Sequence, residues 1–284
     1  MEAPSAQSSR LAARNDLAQA VALSREVRVL LGWVESRIPT VPAPEVFDAR
    51  LTATRYLSPS VRELVFERAD GEPMEFLPGQ WVNLLLSLPT GEIKRAYSIA
   101  SPPDGTPRFE LAVTRVTGGA ASEHLHTIPE GTVVRAVGPQ GFFTRSPGEI
   151  APALFVATGT GITPLRSMLA AAIRAGSRAP LWLLFGARHE EDILYRDELD
   201  AIGREDPGFR YAITLSQPGP SWQGLRGYVQ LHVPELYAAL KASASPELPH
   251  VYVCGLDRMV KVVRDLARNE LGVDRKLVHQ ERYD

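Results

Sequence analysis

Apolar positions along the chain follow two rhythms. Between Phe47 and about Arg145 they come in short β-rich runs: LTATRYL, VRELVFER, QWVNLLLSL, RAYSIAS, RFELAVTRV and TVVRAVG. Turn residues separate the runs: Ser58–Pro59, Asp70–Gly71, Pro78–Gly79, Thr90–Gly91, Asp104–Gly105 and Pro129–Glu130–Gly131. Six strands at such close intervals predict an antiparallel barrel or sandwich. One interruption, GGAASEHLHTI, has the length of a single short helix. From Ala151 strand-like runs (ALFVAT, LWLLFGA, FRYAITL, HVYVCG, KLVHQE) alternate with helical patterns at Thr163 to Ala175, Tyr195 to Ile202, Val233 to Lys241 and Asp257 to Asn269. That alternation predicts an α/β doubly wound parallel sheet. In such sheets ligands sit beyond the carboxyl ends of the strands, where Gly159, Gly186 and Cys254–Gly255 fall.

Ahead of the strands, the Ser- and Ala-rich residues 1–14 predict a mobile start. Leu17, Val21, Val27, Leu31, Val34 and Ile38 then recur at near-helical spacing, with Asn15 or Asp16 placed as a cap. The helix stops before Pro39, and PTVPAPE reads as a stiff linker. Its apolar stripe either packs on the body of the protein or meets a partner. The expected organisation is an N-terminal helical extension over 1–45, a β-barrel domain over 46–148 and an α/β domain over 149–284.

Composition narrows the function classes. With 31 basic and 33 acidic residues the net charge is −2, without the basic footprint that nucleic-acid binding leaves. The single cysteine, Cys254, rules out an intrachain disulfide and suits a reducing, cytoplasmic compartment. It also rules out a cluster held by four thiolates of this chain. His124 and His126 are close in sequence, but residues two apart on a helix face different ways, so no metal site is expected. No apolar run has the length of a membrane span, and no secretory signal is expected at the N-terminus.

Candidate chemistry sits in a few short stretches. In RAYS, Arg95 and Tyr97 share one face of a strand and Ser98 the other, with Ala96 between. A cation beside an aromatic plane can hold a phosphate and a flat ring together. In GGAASEHL two glycines precede a helix start whose free N–H groups favour an anion; a capped flexible connection is the plainer reading. In VATGTGITP a strand meets two glycines two residues apart, but Pro164 stands where the usual dinucleotide fingerprint has a third glycine.

These motifs in this order, with VCGLDRMV and the terminal ERY, resemble the ferredoxin–NAD(P) reductase superfamily over about residues 46–284. The resemblance implies an FAD-dependent oxidoreductase. Arg95 would pair with the flavin diphosphate, Tyr97 would pack on the isoalloxazine, and Ser98 would hydrogen-bond near flavin N5. Ala96, Ile99 and Ala100 would offer backbone contacts, with Val113 and Arg115 flanking the cofactor. Gly119, Ala120, Ala121 and Ser122 would cradle the diphosphate. Tyr283 would stack on the other flavin face, with Asp284 one residue beyond it, and Glu281 would be the acid near the nicotinamide or a proton route. Gly159, Thr160, Gly161 and Pro164 would form the pyridine-nucleotide turn; Cys254, with Gly255 and Met259, would lie near the nicotinamide. Outside the motif, Cys254 reads as a small buried side chain. FAD is expected rather than FMN because barrel and GGAAS segment are long enough for a dinucleotide.

The donor is less sharply written. Plant-type members carry a Ser-Arg pair after the strand that here reads YAITLSQP; this chain has Thr214, Leu215, Ser216 and Gln217 and no arginine. NADH is therefore favoured, with Gly186, Arg188 and Arg226 as further candidates around the nucleotide and NADPH served if the two arginines substitute. Lacking an iron–sulfur domain, the chain would pass single electrons to a separate ferredoxin, supplying a monooxygenase such as a cytochrome P450. The other readings are an NAD(P)H-dependent flavin or ferric-chelate reductase, and a flavin-binding electron-transfer subunit of a larger complex.

Overall fold

The computed structural model describes residues 43–244 and 246–283; the helix expected over 15–38 lies outside them. Six strands form the first layer: β1 (Glu45–Ser58), β2 (Val61–Arg68), β3 (Trp81–Leu88), β4 (Gly91–Ser98), β5 (Arg108–Thr114) and β6 (Val133–Gln140). They pair antiparallel in the order β4-β3-β6-β1-β2-β5. The sheet curls until the end of β4 meets β5 through a bridge between Ile99 and Leu111. Alternation drives the curl. On β1, Phe47, Ala49 and Leu51 point inward while their neighbours face water. The interior is filled by Phe66, Phe109, Leu64, Leu84 and Leu111, all fully buried. A short helix, α1 (Ala120–Leu125), plugs this core with Ala121 and Leu125.

The second layer is a parallel sheet built from β7 (Ala153–Thr158), β8 (Leu181–Ala187), β9 (Phe209–Leu215), β10 (Leu225–Arg226), β11 (His250–Leu256) and β12 (Val278–Tyr283), in the order β10-β9-β8-β7-β11-β12. Helices α2 (Ile162–Arg174) and α3 (Arg196–Glu205) cover one face, α4 (Val233–Ser243) and α5 (Asp257–Asp265) the other. Both faces are therefore dry, and the strands are continuous apolar runs. On β7, Phe155 enters one core and Leu154 and Val156 the other.

Chain order reverses between β7 and β11. That makes their carboxyl ends the crevice at the topological switch point. Barrel residues Val61, Ala112 and Phe143 join the core on the α2 face, so barrel and sheet share one compact unit, Pro42–Asp284. Two refinements of the expected elements bear on the site. Helix α2 starts at Ile162 after a tight 3-10 turn over Gly159–Gly161, and the loop after β9 contains the two-residue strand β10. Among the described residues no helix is long and apolar enough to cross a membrane.

Candidate active site

The crevice is shaped by backbone approaching backbone. Beyond β7 the chain turns through Gly159, at φ +53°, into the 3-10 turn. A Cβ on Gly161 would stand 2.3 Å from the Cys254 carbonyl oxygen, so the turn can lie against β11 only as glycine. Gly255 is equally pressed: its Cβ would sit 2.4 Å from Thr158 Oγ1 and 2.7 Å from the Met259 methyl. The Thr158 hydroxyl is buried with no hydrogen-bond partner among the described residues. A buried donor left over beside free first-turn N–H groups is the provision a phosphate-bearing nucleotide would complete. Pro164, in the first turn of α2, removes no needed N–H. Thr160 faces the barrel, its Oγ1 3.4 Å from that of Thr114 at the end of β5.

Where barrel meets crevice, side chains far apart in sequence converge. Ser98 Oγ donates to Glu281 Oε1 at 2.9 Å. Glu281 is in register with Cys254 on the neighbouring strand. Burial pushes the Glu281 carboxyl from 4.5 up to about 7, with the Ser98 hydroxyl pulling the other way. The Cys254 thiol is fully buried; burial first, and then the Glu281 charge, hold it well above its usual range. It is therefore a neutral thiol. The Tyr283 hydroxyl lies 3.1 Å from Thr163 Oγ1 at the start of α2. Its ring keeps some solvent access while burial raises the phenol well above its ordinary value.

The barrel side fits a flat ring carrying a diphosphate. Arg95 is exposed, its Nη1 donating to the Lys94 carbonyl at 2.9 Å, and it has no acidic partner among the described residues. Ala96 is exposed beside it; Tyr97 lies half-buried against the same core as α1, and burial pushes its phenol up to about 12. As in any helix start, the first-turn N–H groups of Ala120, Ala121 and Ser122 lack intrahelical acceptors. Gly119 caps that turn. Arg115 is exposed on the same loop. The donor set, an exposed guanidinium at Arg95 with a second at Arg115 and a helix start, is what a diphosphate needs.

Other predicted contacts are committed elsewhere. Ile99 is fully buried and its N–H donates to Gln80 O at 2.9 Å, and the Ala100 N–H to Glu110 O at 2.7 Å. Val113 points into the barrel core, its carbonyl 2.8 Å from His126 Nε2. Ser122 Oγ closes its own loop, accepting from Val116 N at 3.1 Å and donating to Gly119 O at 3.0 Å, so only its N–H is offered. Thr214 is fully buried and its hydroxyl donates to Gly227 O at 2.8 Å; it holds the turn before Tyr228 rather than facing a nucleotide. Gly186 is buried between Thr158 and Thr214 in strand register, and Met259 is half-buried.

On the loop side, Ser216 N and Gln217 N donate to the carbonyls of Ala187 and Arg188, which ties the exposed Arg188 to the loop where the absent arginine would stand. Arg226 is also exposed, but one of its nitrogens is held by Trp222 O at 2.8 Å. Sequence reasoning missed Thr158 and the contact of Thr163 with Tyr283. The two threonines flank motif glycines, which was a usable signal.

Known proteins match this geometry along most of the chain. The family model of the oxidoreductase FAD-binding domain matches residues 48–144, and that of the oxidoreductase NAD-binding domain residues 155–265. Over 240 residues the chain is 67% identical to ferredoxin–NADP reductase B of Sorangium cellulosum (strain So ce56), covering 84% of this chain and 98% of that protein. Among solved structures it is similar to a cytochrome P450 reductase of Amycolatopsis (TM-score 0.73, 26% identity), covering 86% of this chain and 71% of that one. It is similar also to the ferredoxin reductase in carbazole 1,9a-dioxygenase (TM-score 0.72, 25% identity), covering 87% of this chain and 71% of that one.

Proposed function

The chain belongs to the ferredoxin–NAD(P) reductase superfamily of FAD-dependent oxidoreductases, and from that premise we propose which residues carry the reaction and which donor and acceptor they serve. The bond between Ser98 and Glu281 carries the reading, because it joins the flavin-motif strand to the nucleotide crevice at 2.9 Å. FAD, when bound, accepts a hydride and releases electrons one at a time. Around it, Arg95 and the N–H groups of Ala120, Ala121 and Ser122 would hold the diphosphate, and Tyr97 would pack on one ring face. Tyr283 would cover the other face, and for the nicotinamide to reach the ring its hydroxyl would have to give up the bond to Thr163. Cys254 would then face the nicotinamide as a neutral thiol, which packs without adding charge. Glu281, titrating at about 7, holds or releases a proton at Ser98 Oγ near neutral pH.

The donor we propose is NADPH. The sequence favoured NADH because no arginine follows Ser216. Arg188, however, is bonded through its backbone to that same loop and offers an exposed guanidinium there. The name of the 67% identical relative, an NADP reductase, supports the same choice. The acceptor is a separate ferredoxin in the cytoplasm, feeding an oxygenase such as a cytochrome P450; likeness to the Amycolatopsis reductase supports that last step. The working division is a FAD domain over 46–148 and a nucleotide domain over 149–284, preceded by an extension.

Anaerobic mixing with NADPH and NADH, followed by reoxidation with a ferredoxin at low and high salt, tests this. NADPH should reduce the flavin at lower concentration, and Arg188→Ala should weaken NADPH by about tenfold or more without touching NADH, as loss of a charged hydrogen bond does. Equal use of both nucleotides by wild type and variant would remove Arg188 from the argument. Reoxidation insensitive to salt would favour a small-molecule acceptor.

A further inference from the structure

Helix α2 carries the nucleotide turn at its start, and one turn further in it grips the end of the flavin-motif strand. Arg166 Nη1 donates to the Ala100 carbonyl at 3.0 Å and to Glu110 Oε2 at 2.7 Å. Its Nε faces both oxygens of Glu198, at 3.0 and 2.9 Å. The guanidinium lies over the Tyr195 ring, 4.4 Å from its centre. The next residue repeats the contact: Ser167 Oγ donates to the Ser101 carbonyl at 2.7 Å. Ala100 and Ser101 stand two and three residues after Ser98, and they are tied to β5 through Ala100 N to Glu110 O at 2.7 Å and Glu110 N to Ser101 Oγ at 3.1 Å.

The arrangement is demanding in a way that a generic domain contact is not. The side chain of Arg166 is 12% exposed, and the two nitrogens that face the protein, Nε and Nη1, both end on acceptors. Tyr195 sits at φ +58°, a left-handed conformation that costs a non-glycine residue, and its buried ring forms the floor under the guanidinium. A planar fork presents separate nitrogens in fixed directions to one carbonyl and two carboxylates, whereas a lysine offers all its donors from one compact point at the end of a flexible stem.

We propose that Arg166, seconded by Ser167, is a positioning residue that locks the nucleotide turn of α2 to the end of the flavin-motif strand and so sets the hydride-transfer distance. The inference rests on the functional reading above and deepens it. Hydride transfer depends steeply on approach, and a displacement of about 1 Å can cost about a hundredfold in rate. A latch of this kind acts on rate more than on affinity.

The test uses the flavin-loaded protein and the variants Arg166→Lys, Arg166→Met and Ser167→Ala. Four quantities are read: bound flavin, NADP+ affinity by difference absorbance, the limiting rate of flavin reduction, and backbone hydrogen exchange over residues 99–101. Arg166→Lys should keep flavin and NADP+ affinity within about threefold, reduce at least tenfold more slowly, and exchange at least tenfold faster over that segment. Ser167→Ala should move rate and exchange in the same direction by less. If Arg166→Met does not fold, the other two variants decide the matter. A lysine variant that reduces at the wild-type rate, or whose loss is wholly in NADP+ affinity, or whose exchange is unchanged, overturns the proposal. A wild type that neither nicotinamide reduces overturns the functional reading itself, a result distinct from all of these.

Discussion

Glu281 should act as an internal pH gauge of this fold. Its carboxyl is raised from 4.5 to about 7, chiefly by burial. A raised acid is stabilising to bury while protonated. Its contribution is fully present below pH 4.5 and is lost as pH rises through about 7. At about 1.4 kcal/mol per pH unit, the ionised form costs the fold about 3 kcal/mol above pH 7, an upper figure since relaxation and water screen part of it. Glu281→Gln keeps the shape and a partner for Ser98 but cannot ionise. The variant should match wild type near pH 5 and exceed it by up to about 3 kcal/mol at pH 8. In a chain of this size that is about 6 to 12 °C in thermal midpoint. Urea or thermal unfolding at half-unit steps from pH 5 to 8 measures it. A difference between the two proteins that stays constant across the range would refute the burial argument. The same variant should slow flavin reduction at pH 7 while retaining flavin.

The crevice, the terminal aromatic and the acid limb make separate expectations. Gly161→Ala places a Cβ 2.3 Å from the Cys254 carbonyl, backbone against backbone; it should cost about 1–3 kcal/mol by overpacking and weaken NADP+ at least tenfold in a titration. Tyr283→Ser should loosen the flavin and tighten NADP+, because nothing then competes for the ring face; unchanged affinity for both would remove the stacking role. His279 is the mirror of Glu281. Burial, then the neighbouring His250 and Arg145, lower it from 6.5 to about 4, so stability present above pH 6.5 is lost as pH falls through about 4. The gap between wild type and His279→Gln should therefore shrink by up to about 3 kcal/mol over that range, read by unfolding at pH 4 to 7.

The two-layer architecture was legible because each layer writes a different apolar pattern. β1 alternates, since one barrel face is wet, whereas β7 and β8 are unbroken apolar runs, since both sheet faces are dry. The candidate site is written in the sequence where its residues are neighbours, as in Arg95 to Ser98 or Gly159 to Gly161. Where partners are distant the sequence carries no such signal. Thr214 stands at the carboxyl end of a strand, where a nucleotide is expected, yet Gly227, 13 residues on, takes its hydroxyl. Val113 followed from the resemblance, and its side chain faces the barrel core; Ile99 was expected to offer backbone contacts, and its N–H is already given to Gln80 O. Arg166 is not among the residues singled out from the sequence. Its partners Ala100, Glu110 and Glu198 lie 66, 56 and 32 residues away, and no local pattern announces them.

Those long-range contacts concentrate on one element. Helix α2 begins at the turn whose Gly161 touches β11, offers Thr163 to the Tyr283 hydroxyl, and grips the end of β4 through Arg166 and Ser167. Each contact constrains a different body: the nucleotide crevice, the aromatic that covers the flavin face, and the flavin-motif strand. A helix is stiff over two turns, so these constraints are transmitted among one another with little loss. Weakening the grip at Arg166 would then be felt at Thr163 and at Gly161, although neither has changed. On this account Arg166→Lys and Tyr283→Ser should be non-additive in the rate of flavin reduction, as residues sharing one network are. Simple additivity would mean that the helix merely spans the three sites without coupling them.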